Sequence, residues 1–392
     1  MTLDSMRTRS EHILSDLVGF ATVSRNSNLE LIDYIRDYLS ALGVRSSLTH
    51  NDSRSKANLY AVIGDSKERG IMLSGHTDVV PVDGQDWTVD PFVMTEKLGC
   101  LYGRGTTDMK GFIACVLAAL PDLVDRELVR PLHLAFSYDE EIGCVGVQRM
   151  IDELQDSTRL PAICIVGEPT EMRVGIAHKG KLGGVCKCHG VEAHSALANQ
   201  GLNAIYLASE VISEIQKIQQ TLVENGASDD HYSVPYTTLH VGTIEGGTAL
   251  NIIPRHCEFL FEIRNIEADN PEALLALIKR KADEIVSDYR GQFPQASINI
   301  DVFNQYPALE VHPEEEVVRF VQSLLSTDDF VKLSFGTEAG SFQKRLHVPT
   351  VVCGPGSMDQ GHKPDEFIHR DELAKCDRFL EKLIDRMLVR TE

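Results

Sequence analysis

The sequence predicts an α/β protein in which a mainly parallel, helix-covered sheet is interrupted by a smaller α+β domain. Residues 1–179 alternate apolar, strand-like runs with amphipathic helices. Over 180–292 the pattern changes to long helices and to strands that alternate polar with apolar residues. Helix–strand alternation resumes over 293–392. A length of 392 residues also favours two domains over one core.

The strands of the first part are continuous apolar runs, which are typical of parallel strands buried on both faces. They are expected at 58–63, 71–75, 132–138 and 162–168. Apolar or amphipathic stretches lie between the second and third of these runs and between the third and fourth. They include GFIACVLAALPDLV, and they predict helices packed on the sheet. The sheet of this domain is therefore expected to be built from strand–helix–strand units.

The middle part follows the order β-α-β-β-α-β, which is typical of a ferredoxin-like unit. A glycine-rich strand begins near His178 and leads to the long amphipathic helix NAIYLASEVISEIQKIQQTLVEN. The segments HYSVPYTTLHVGTIEG and HCEFLFEIRN alternate like antiparallel strands with one solvated face, and a second helix covers about 270–289. This pattern predicts an inserted domain with its own core.

Composition excludes several classes of function. There are 38 Lys and Arg against 58 Asp and Glu, a net charge of −20, so a nucleic acid partner is not expected. No apolar run approaches the ~20 residues that span a bilayer, so no membrane association is expected. The N-terminus lacks the apolar core of a signal peptide, and nine cysteines without a C-x-x-C pair favour a reducing compartment. These observations together predict a cytoplasmic protein.

Histidines and acidic residues recur at the expected strand ends and in the loops beyond them. They are His76, Asp78, Asp108, Glu140, Glu141, Glu168 and His362. The carboxyl ends of parallel strands are where open sheets place their sites. Taken singly, Asp108 is read as a helix cap, the pair Glu140–Glu141 as a charged turn and His362 as a loop histidine. As a set, two histidines and three carboxylates fit a pair of divalent cations, with one carboxylate left for proton transfer.

Mixed imidazole and carboxylate donors suit zinc, with cobalt or manganese as substitutes. Asp78 then has a separate use, because a carboxylate that holds the other ring nitrogen of His76 fixes its tautomer. We therefore expect Asp78 to support a ligand rather than to be one.

Six segments, taken in order, resemble the M20 family of zinc-dependent peptidases and deacylases. They are SGHTDVVP, YGRGTTDMKG, SYDEEIG, GEPT, GVEAHSALANQGLNAI and GPGS…GHKPDE. The resemblance extends over nearly the whole chain. It implies a catalytic α/β domain, formed by 1–179 and 293–392, and an inserted lid or dimerisation domain at 180–292.

The resemblance also implies a role for each matching residue. Asp108 would bridge two zinc ions, for which cobalt could substitute. His76 and Glu168 would complete one site, and Glu141 and His362 the other. Glu140 would be the general base and acid, which takes a proton from the attacking water and passes it to the leaving amine.

In the inserted domain the resemblance implies that His194 stabilises the oxyanion in the neighbouring subunit of a homodimer. It implies that Asn251 and Arg264 hold the carboxylate of a small N-acyl amino acid substrate. The alternatives are a surface loop for His194 and a structural salt bridge for Arg264.

Residues 334–368 are similar to the acetylornithine deacetylase branch of the family, which carries TEA-G-x-FQ and GPGS-x-x-Q-x-HKPDE. Thr337 and Glu338 therefore become candidate substrate contacts, unless Glu338 only favours a helix N-terminus. The predicted reaction is hydrolysis of N2-acetyl-L-ornithine to L-ornithine and acetate. Succinyl-diaminopimelate, other N-acyl amino acids and dipeptides remain alternative substrates. A non-catalytic binding protein is the alternative of another class, and it predicts a broken ligand set.

Overall fold

The computed structural model describes residues 8–157 and 159–388. Their contacts form two units. The larger unit comprises the described residues up to Ala177, Leu309–Lys332 and those from Thr337 onward. The smaller unit comprises His178–Ala308 and Leu333–Gly336. Within the described ranges, no helix has both the length and the apolar character needed to cross a membrane.

The helices and strands alternate along both units. The helices are α1 (Arg9–Gly19), α2 (Leu29–Ala41), α3 (Lys110–Ala119), α4 (Val147–Gln155), α5 (Ala204–Asn225), α6 (Pro271–Arg290), α7 (Glu316–Leu325), α8 (Ala339–Leu346) and α9 (Arg370–Met387). The strands are β1 (Ser46–His50), β2 (Ala57–Ile63), β3 (Ile71–His76), β4 (Thr95–Lys97), β5 (Cys100–Tyr102), β6 (Leu132–Ser137), β7 (Ile163–Pro169), β8 (Val174–His178), β9 (Lys181–His189), β10 (Thr238–Gly246), β11 (His256–Arg264), β12 (Ser297–Tyr306), β13 (Leu309–Glu310), β14 (Phe330–Leu333), β15 (Thr350–Gly354) and β16 (Phe367–His369). Short 3₁₀ turns lie at Leu120–Asp122 and Ser195–Gln200.

The larger unit is built on a mixed sheet in the order β1-β2-β6-β3-β7-β15-β8-β13, with β14 beside β8. Its centre is parallel, because β6, β3, β7 and β15 pair in the same direction. The flanking pairs β1–β2, β2–β6 and β15–β8 are antiparallel. Helices α2, α3, α4, α7 and α8 pack on these strands. This arrangement confirms the predicted α/β fold with its mainly parallel, helix-covered sheet.

Close packing of α3 brings the loop before it over the strand ends. A Cβ at Gly167 would lie 2.0 Å from the ring of Phe112, so α3 lies directly on β7. Strand β3 is buried along its whole length and ends at His76, and β7 carries Glu168 near its own end. The parallel centre of the sheet therefore delivers polar side chains to one edge, next to the start of α3.

The smaller unit contains a four-stranded antiparallel sheet in the order β10-β11-β9-β12, with α5 and α6 packed on it. Its core is apolar and includes Val211, Phe259 and Phe261. The element order is the predicted β-α-β-β-α-β.

The boundary of this unit differs from the predicted 180–292. Strand β12, which was assigned by sequence to the second part of the catalytic domain, pairs antiparallel with β9 from Ser297 to Tyr306. The reason is physical: the alternation in SINIDVFNQY buries Ile298 and Ile300 in the core of the smaller unit. Residues 293–308 therefore belong to the inserted unit.

Candidate metal centre

Five side chains from separate parts of the larger unit converge on one place. They are His76 at the end of β3, Asp108 in the loop before α3, Glu141 in the turn after β6, Glu168 in β7 and His362 in the loop between β15 and β16. They form two groups of three that share Asp108, and within each group the donor atoms lie within 4.8 Å of one another. The first group adds His76 and Glu168 to Asp108, and the second adds Glu141 and His362.

The two oxygens of Asp108 serve different groups. Its Oδ1 lies 3.0 Å from Nε2 of His76, which is also 3.5 Å from Oε1 of Glu168. Its Oδ2 lies 3.0 Å from Nε2 of His362, which is 3.1 Å from Oε2 of Glu141. The second oxygen of Glu141, Oε1, is buried and has no hydrogen-bond partner. A carboxylate placed between two sets of imidazole and carboxylate donors fits a pair of bridged divalent cations such as zinc.

The pKa values of several side chains in and beside the cluster differ strongly from their ordinary values. Burial raises the pKa of Glu140 to about 8 and that of Glu141 to about 7. Hydrogen bonds to Asp108 and Glu141 raise the pKa of His362 to about 11. Although burial opposes it, bonds with His362 and His76 hold the pKa of Asp108 below its ordinary value. The carboxylates of the cluster therefore either retain protons or pair with imidazolium. Cations that bind here would displace those protons.

Asp78 contacts the cluster through both its side chain and its main chain. Its carboxylate Oδ1 lies 3.6 Å from Nδ1 of His76, beyond hydrogen-bond reach, while its backbone carbonyl accepts from that nitrogen at 2.9 Å. The carboxylate instead accepts from Oγ of Ser24 at 2.7 Å and from the backbone N–H groups of Glu140 and Glu141 at 3.1 and 3.3 Å. The main chain of Asp78 fixes the tautomer of His76. Its side chain anchors the turn that contains Glu140 and Glu141, here called the acidic turn.

Glu140 lies beside the cluster but belongs to neither group of donors. Its Oε1 accepts from Sγ of Cys144 at 3.2 Å. Its backbone carbonyl accepts from the N–H groups of Gly143 and Cys144, so the acidic turn is tightly closed. A partly buried carboxylate that is held in place but is outside both donor groups is suited to proton transfer.

Thr337 and Glu338 are buried, and the structure gives both of them partners within the protein. Oγ1 of Thr337 accepts from the N–H of Ala339 at 3.0 Å. Oε1 of Glu338 accepts from Oγ of Ser137 at 2.5 Å, and its Oε2 accepts from Oγ of Ser74 at 3.5 Å. The exposed fractions of the two residues are 0% and 1%. Glu338 links β3 to β6 through these bonds, and the roles of Thr337 and Glu338 as substrate contacts stay predictions.

Sequence reasoning missed the two serines that hold Glu338. Their signal was a single hydroxyl residue near the end of an otherwise apolar strand, in IMLSGH and LHLAFS. A buried hydroxyl needs a hydrogen-bond partner, but the sequence does not say that the partner is a carboxylate far along the chain.

The remaining candidates lie in the smaller unit. Nδ1 of His194 accepts from the N–H of Ala196 at 3.1 Å, and the residue is exposed. Its chain segment runs beside that of Asn251, whose carbonyl accepts from the N–H of Ser195. The structure thus brings His194 and Asn251 into neighbouring segments, where both are exposed.

Arg264, at the end of β11, is already engaged within the smaller unit. Its Nη1 donates to the hydroxyl of Tyr306 at 2.8 Å, and its Nη2 lies 3.1 Å from a carboxylate oxygen of Glu262. The predicted structural salt bridge is thus present, and a substrate carboxylate would have to be added to it or replace it.

Known proteins resemble this chain along most of its length. Peptidase family M20/M25/M40 matches residues 72–386. The acetylornithine deacetylase of Pasteurella multocida is 34% identical over 359 residues, 91% of each chain. That of Photorhabdus laumondii is 33% identical over 360 residues, 92% of this chain and 90% of its own.

Solved structures share the fold at lower identity. An M20 family metallo-carboxypeptidase from Sulfolobus solfataricus superposes with a TM-score of 0.79 at 18% identity and covers 96% of this chain and 99% of its own. A dinuclear metal-binding peptidase of the M20 family from Bacillus subtilis gives 0.68 at 15% identity, with 97% and 98% covered. At these identities the likeness concerns the fold alone.

Proposed function

This chain belongs to peptidase family M20/M25/M40, and we propose on that premise that it hydrolyses N2-acetyl-L-ornithine to L-ornithine and acetate. Membership makes it a metal-dependent amidohydrolase. The observation that carries the proposal is Asp108, whose two oxygens each lie 3.0 Å from a different imidazole, those of His76 and His362. The substrate is inferred from the acetylornithine deacetylases, which are 33–34% identical over about nine-tenths of the chain.

We infer that the centre holds two zinc ions, for which cobalt could substitute. His76 and Glu168 would hold one, Glu141 and His362 the other, and Asp108 both. When bound, the ions polarise the scissile carbonyl and lower the pKa of water towards ~7. The alternative of a non-catalytic binding protein predicts missing donors, whereas all five predicted donors are present and gathered in the larger unit.

Glu140 is the proposed general base and then general acid. It takes a proton from the attacking water while the water oxygen bonds to the amide carbon. As the carbon–nitrogen bond breaks, Glu140 gives that proton to the leaving amine, and the new acid loses its remaining hydroxyl proton to become acetate. Support for this role comes from its position beside Glu141, outside both donor groups, and from the turn that Asp78 anchors.

We assign the smaller unit a role in substrate binding and assembly. His194 would stabilise the oxyanion in the neighbouring subunit of a homodimer formed through this unit. Asn251 and Arg264 would hold the substrate carboxylate, which the planar guanidinium of arginine can bind through two nitrogens.

The substrate assignment is tested by a panel assayed under one condition. Zinc-loaded protein is given N2-acetylornithine, succinyl-diaminopimelate, another N-acetyl amino acid and a dipeptide. We expect kcat/KM for N2-acetylornithine to exceed the others by about tenfold or more, which corresponds to about 1.4 kcal/mol of discrimination. A higher value for another compound contradicts the substrate. No turnover of any of them by protein that holds two metals contradicts the enzymatic proposal.

A further inference from the structure

A buried ion pair lies next to two of the loops that carry the proposed metal donors. Arg104 and Glu366 are each 1% exposed, and Nη1 of the arginine lies 2.6 Å from Oε2 of the glutamate. Two charges removed from water are costly unless their remaining donors and acceptors are also satisfied. The further bonds of the pair therefore indicate what it holds in place.

The second oxygen of Glu366 holds the loop that carries Asp108. Its Oε1 accepts from the backbone N–H groups of Gly105, Thr107 and Asp108, at 3.0, 3.0 and 3.2 Å. Three N–H groups around one carboxylate oxygen form an anion-binding concavity, here filled by a side chain of the protein itself. The main chain at Asp108 is thus fixed by a residue 258 positions further along the chain.

Arg104 holds the loop that carries His362. Its Nη1 also donates to the carbonyl of Lys363 at 3.3 Å, and its Nη2 donates to Oε1 of Gln85 at 2.6 Å. The amide of Gln85 in turn donates to the carbonyl of His362 at 2.9 Å. The ion pair is therefore bonded to both loops.

His362 depends on such support more than the other donors do. Its side chain is 46% exposed, whereas that of Asp108 is 5% exposed, so packing alone does not fix it. Its backbone has a φ of 62°, in the left-handed region that residues other than glycine seldom adopt. The bonds from Gln85 and Arg104 hold the loop in which it lies.

We propose that Glu366 and Arg104 are positioning residues that hold the Asp108 loop and the His362 loop at a fixed spacing. They thereby set the affinity for the ion shared by Asp108, Glu141 and His362. Neither residue is a ligand, and each acts through the backbone of the loops. This inference rests on the proposed metal centre and adds to it the reason why the more exposed site can hold an ion.

The rival explanation is that the pair only stabilises the fold, and a matched control separates the two. Glu11 and Arg370 form another ion pair of the larger unit, at 2.6 and 2.7 Å, in which the Glu11 side chain is 4% and the Arg370 side chain 29% exposed. The carboxylate of Glu11 accepts from Arg370 and from the N–H of Thr8, and neither of these is one of the five proposed metal donors. Glu11→Gln therefore reports the effect of weakening an ion pair without disturbing the centre.

The test measures zinc bound per chain after dialysis against a zinc buffer, together with the thermal midpoint of the metal-free chain. Glu366→Gln keeps an oxygen for the loop N–H groups but removes the charge that faces Arg104. We expect wild type and Glu11→Gln to hold two zinc ions. We expect Glu366→Gln to hold one tightly and to bind the second about 10–100-fold more weakly.

The kinetics give a second readout that a purely structural role would not move. In Glu366→Gln, kcat on the best substrate of the panel should fall and recover with added zinc, while KM stays within about twofold. Arg104→Lys keeps the charge but loses the planar fork, and we expect a weaker effect of the same kind. Arg104→Lys also tests the proposal if Glu366→Gln fails to fold.

Wild-type zinc affinity at both sites in Glu366→Gln or, if that does not fold, in Arg104→Lys would overturn the inference. So would equal zinc loss in Glu11→Gln. Wild-type protein that binds no zinc would instead overturn the proposed metal centre, an outcome that the same measurement identifies separately.

Discussion

The two donor groups that share Asp108 are built in different ways. His76 and Glu168 lie in neighbouring parallel strands, and their side chains are 1% and 5% exposed. Glu141 lies in a turn, and His362 lies in a loop with its side chain 46% exposed. The sheet itself fixes the first group, whereas the second depends on hydrogen bonds between loops. We therefore expect the first site to be the tighter one and the second to be lost first.

Glu140, which belongs to neither group, should show the largest effect on rate and none on metal. Glu140→Gln removes the proton carrier but keeps nearly the same shape, so kcat should fall by about 10²–10⁴-fold. Zinc per chain should stay near two. The measurement is a steady-state rate with zinc analysis of the same sample.

Near-normal turnover by Glu140→Gln would contradict the general-base role. Glu141→Gln is the matched control, because it changes the adjacent carboxylate, which is a proposed ligand. That variant should lose zinc from the second site, and a zinc content equal to wild type would place Glu141 outside the centre.

Truncation of each histidine compares the two groups directly. His362→Ala should release one zinc and lower the thermal midpoint of the metal-free chain less than His76→Ala does, because much of the His362 side chain is in solvent. His76→Ala should weaken the first site and also destabilise the metal-free chain by about 1–3 kcal/mol, since it leaves buried polar partners unpaired. Zinc analysis and thermal melts check both variants. Equal melting losses in the two would contradict the distinction.

A change of pH should have a smaller effect on the stability of the protein, and the sign of this effect should depend on whether metal is bound. The pKa values of Glu140, Glu141 and His362 are raised to about 8, 7 and 11, so the folded chain holds these protons more tightly than the unfolded one. The stability of the metal-free protein should therefore fall as pH rises from 6.5 to 8. The buried His133 and His178, whose pKa values burial lowers to about 4, oppose this only below about 6.5. Lys110, whose pKa burial lowers to about 7, opposes it in part above pH 7, but it is one group against three.

Zinc should reverse that slope, because ions and protons compete for the same carboxylates. Over the same pH range the midpoint of the zinc-loaded protein should rise by roughly 2–4 °C. Melts of chelator-treated and zinc-loaded samples at several pH values test this. The same sign of slope in both samples would mean that these groups do not bind the metal.

The fold class could be read from the sequence because its signals are local. Continuous apolar runs indicated the parallel centre of the sheet, and alternating ones the antiparallel sheet. The end of the inserted unit could not be placed, since the strand at Ser297–Tyr306 follows a helix and resembles a resumption of the first domain. Only its pairing with β9 shows where it belongs.

The candidate ligands were also visible, because each stands at a strand end or in a loop beside one. The residues that support them were not. Glu366 lies inside the segment GHKPDE, but its partners are backbone N–H groups of a loop far away in sequence. The sequence likewise does not report that the carboxylate of Glu338 is buried between two serines. The assigned roles of the ligands remain predictions.

A zinc-edge anomalous difference map of crystals of the zinc-loaded protein tests the central claim most directly. The expected result is two peaks about 3.5–4 Å apart on either side of the Asp108 carboxylate. The peak next to His76 and Glu168 should have the higher occupancy, and the one next to Glu141 and His362 the lower. A single peak, or two peaks that Asp108 does not bridge, would contradict the shared-carboxylate centre.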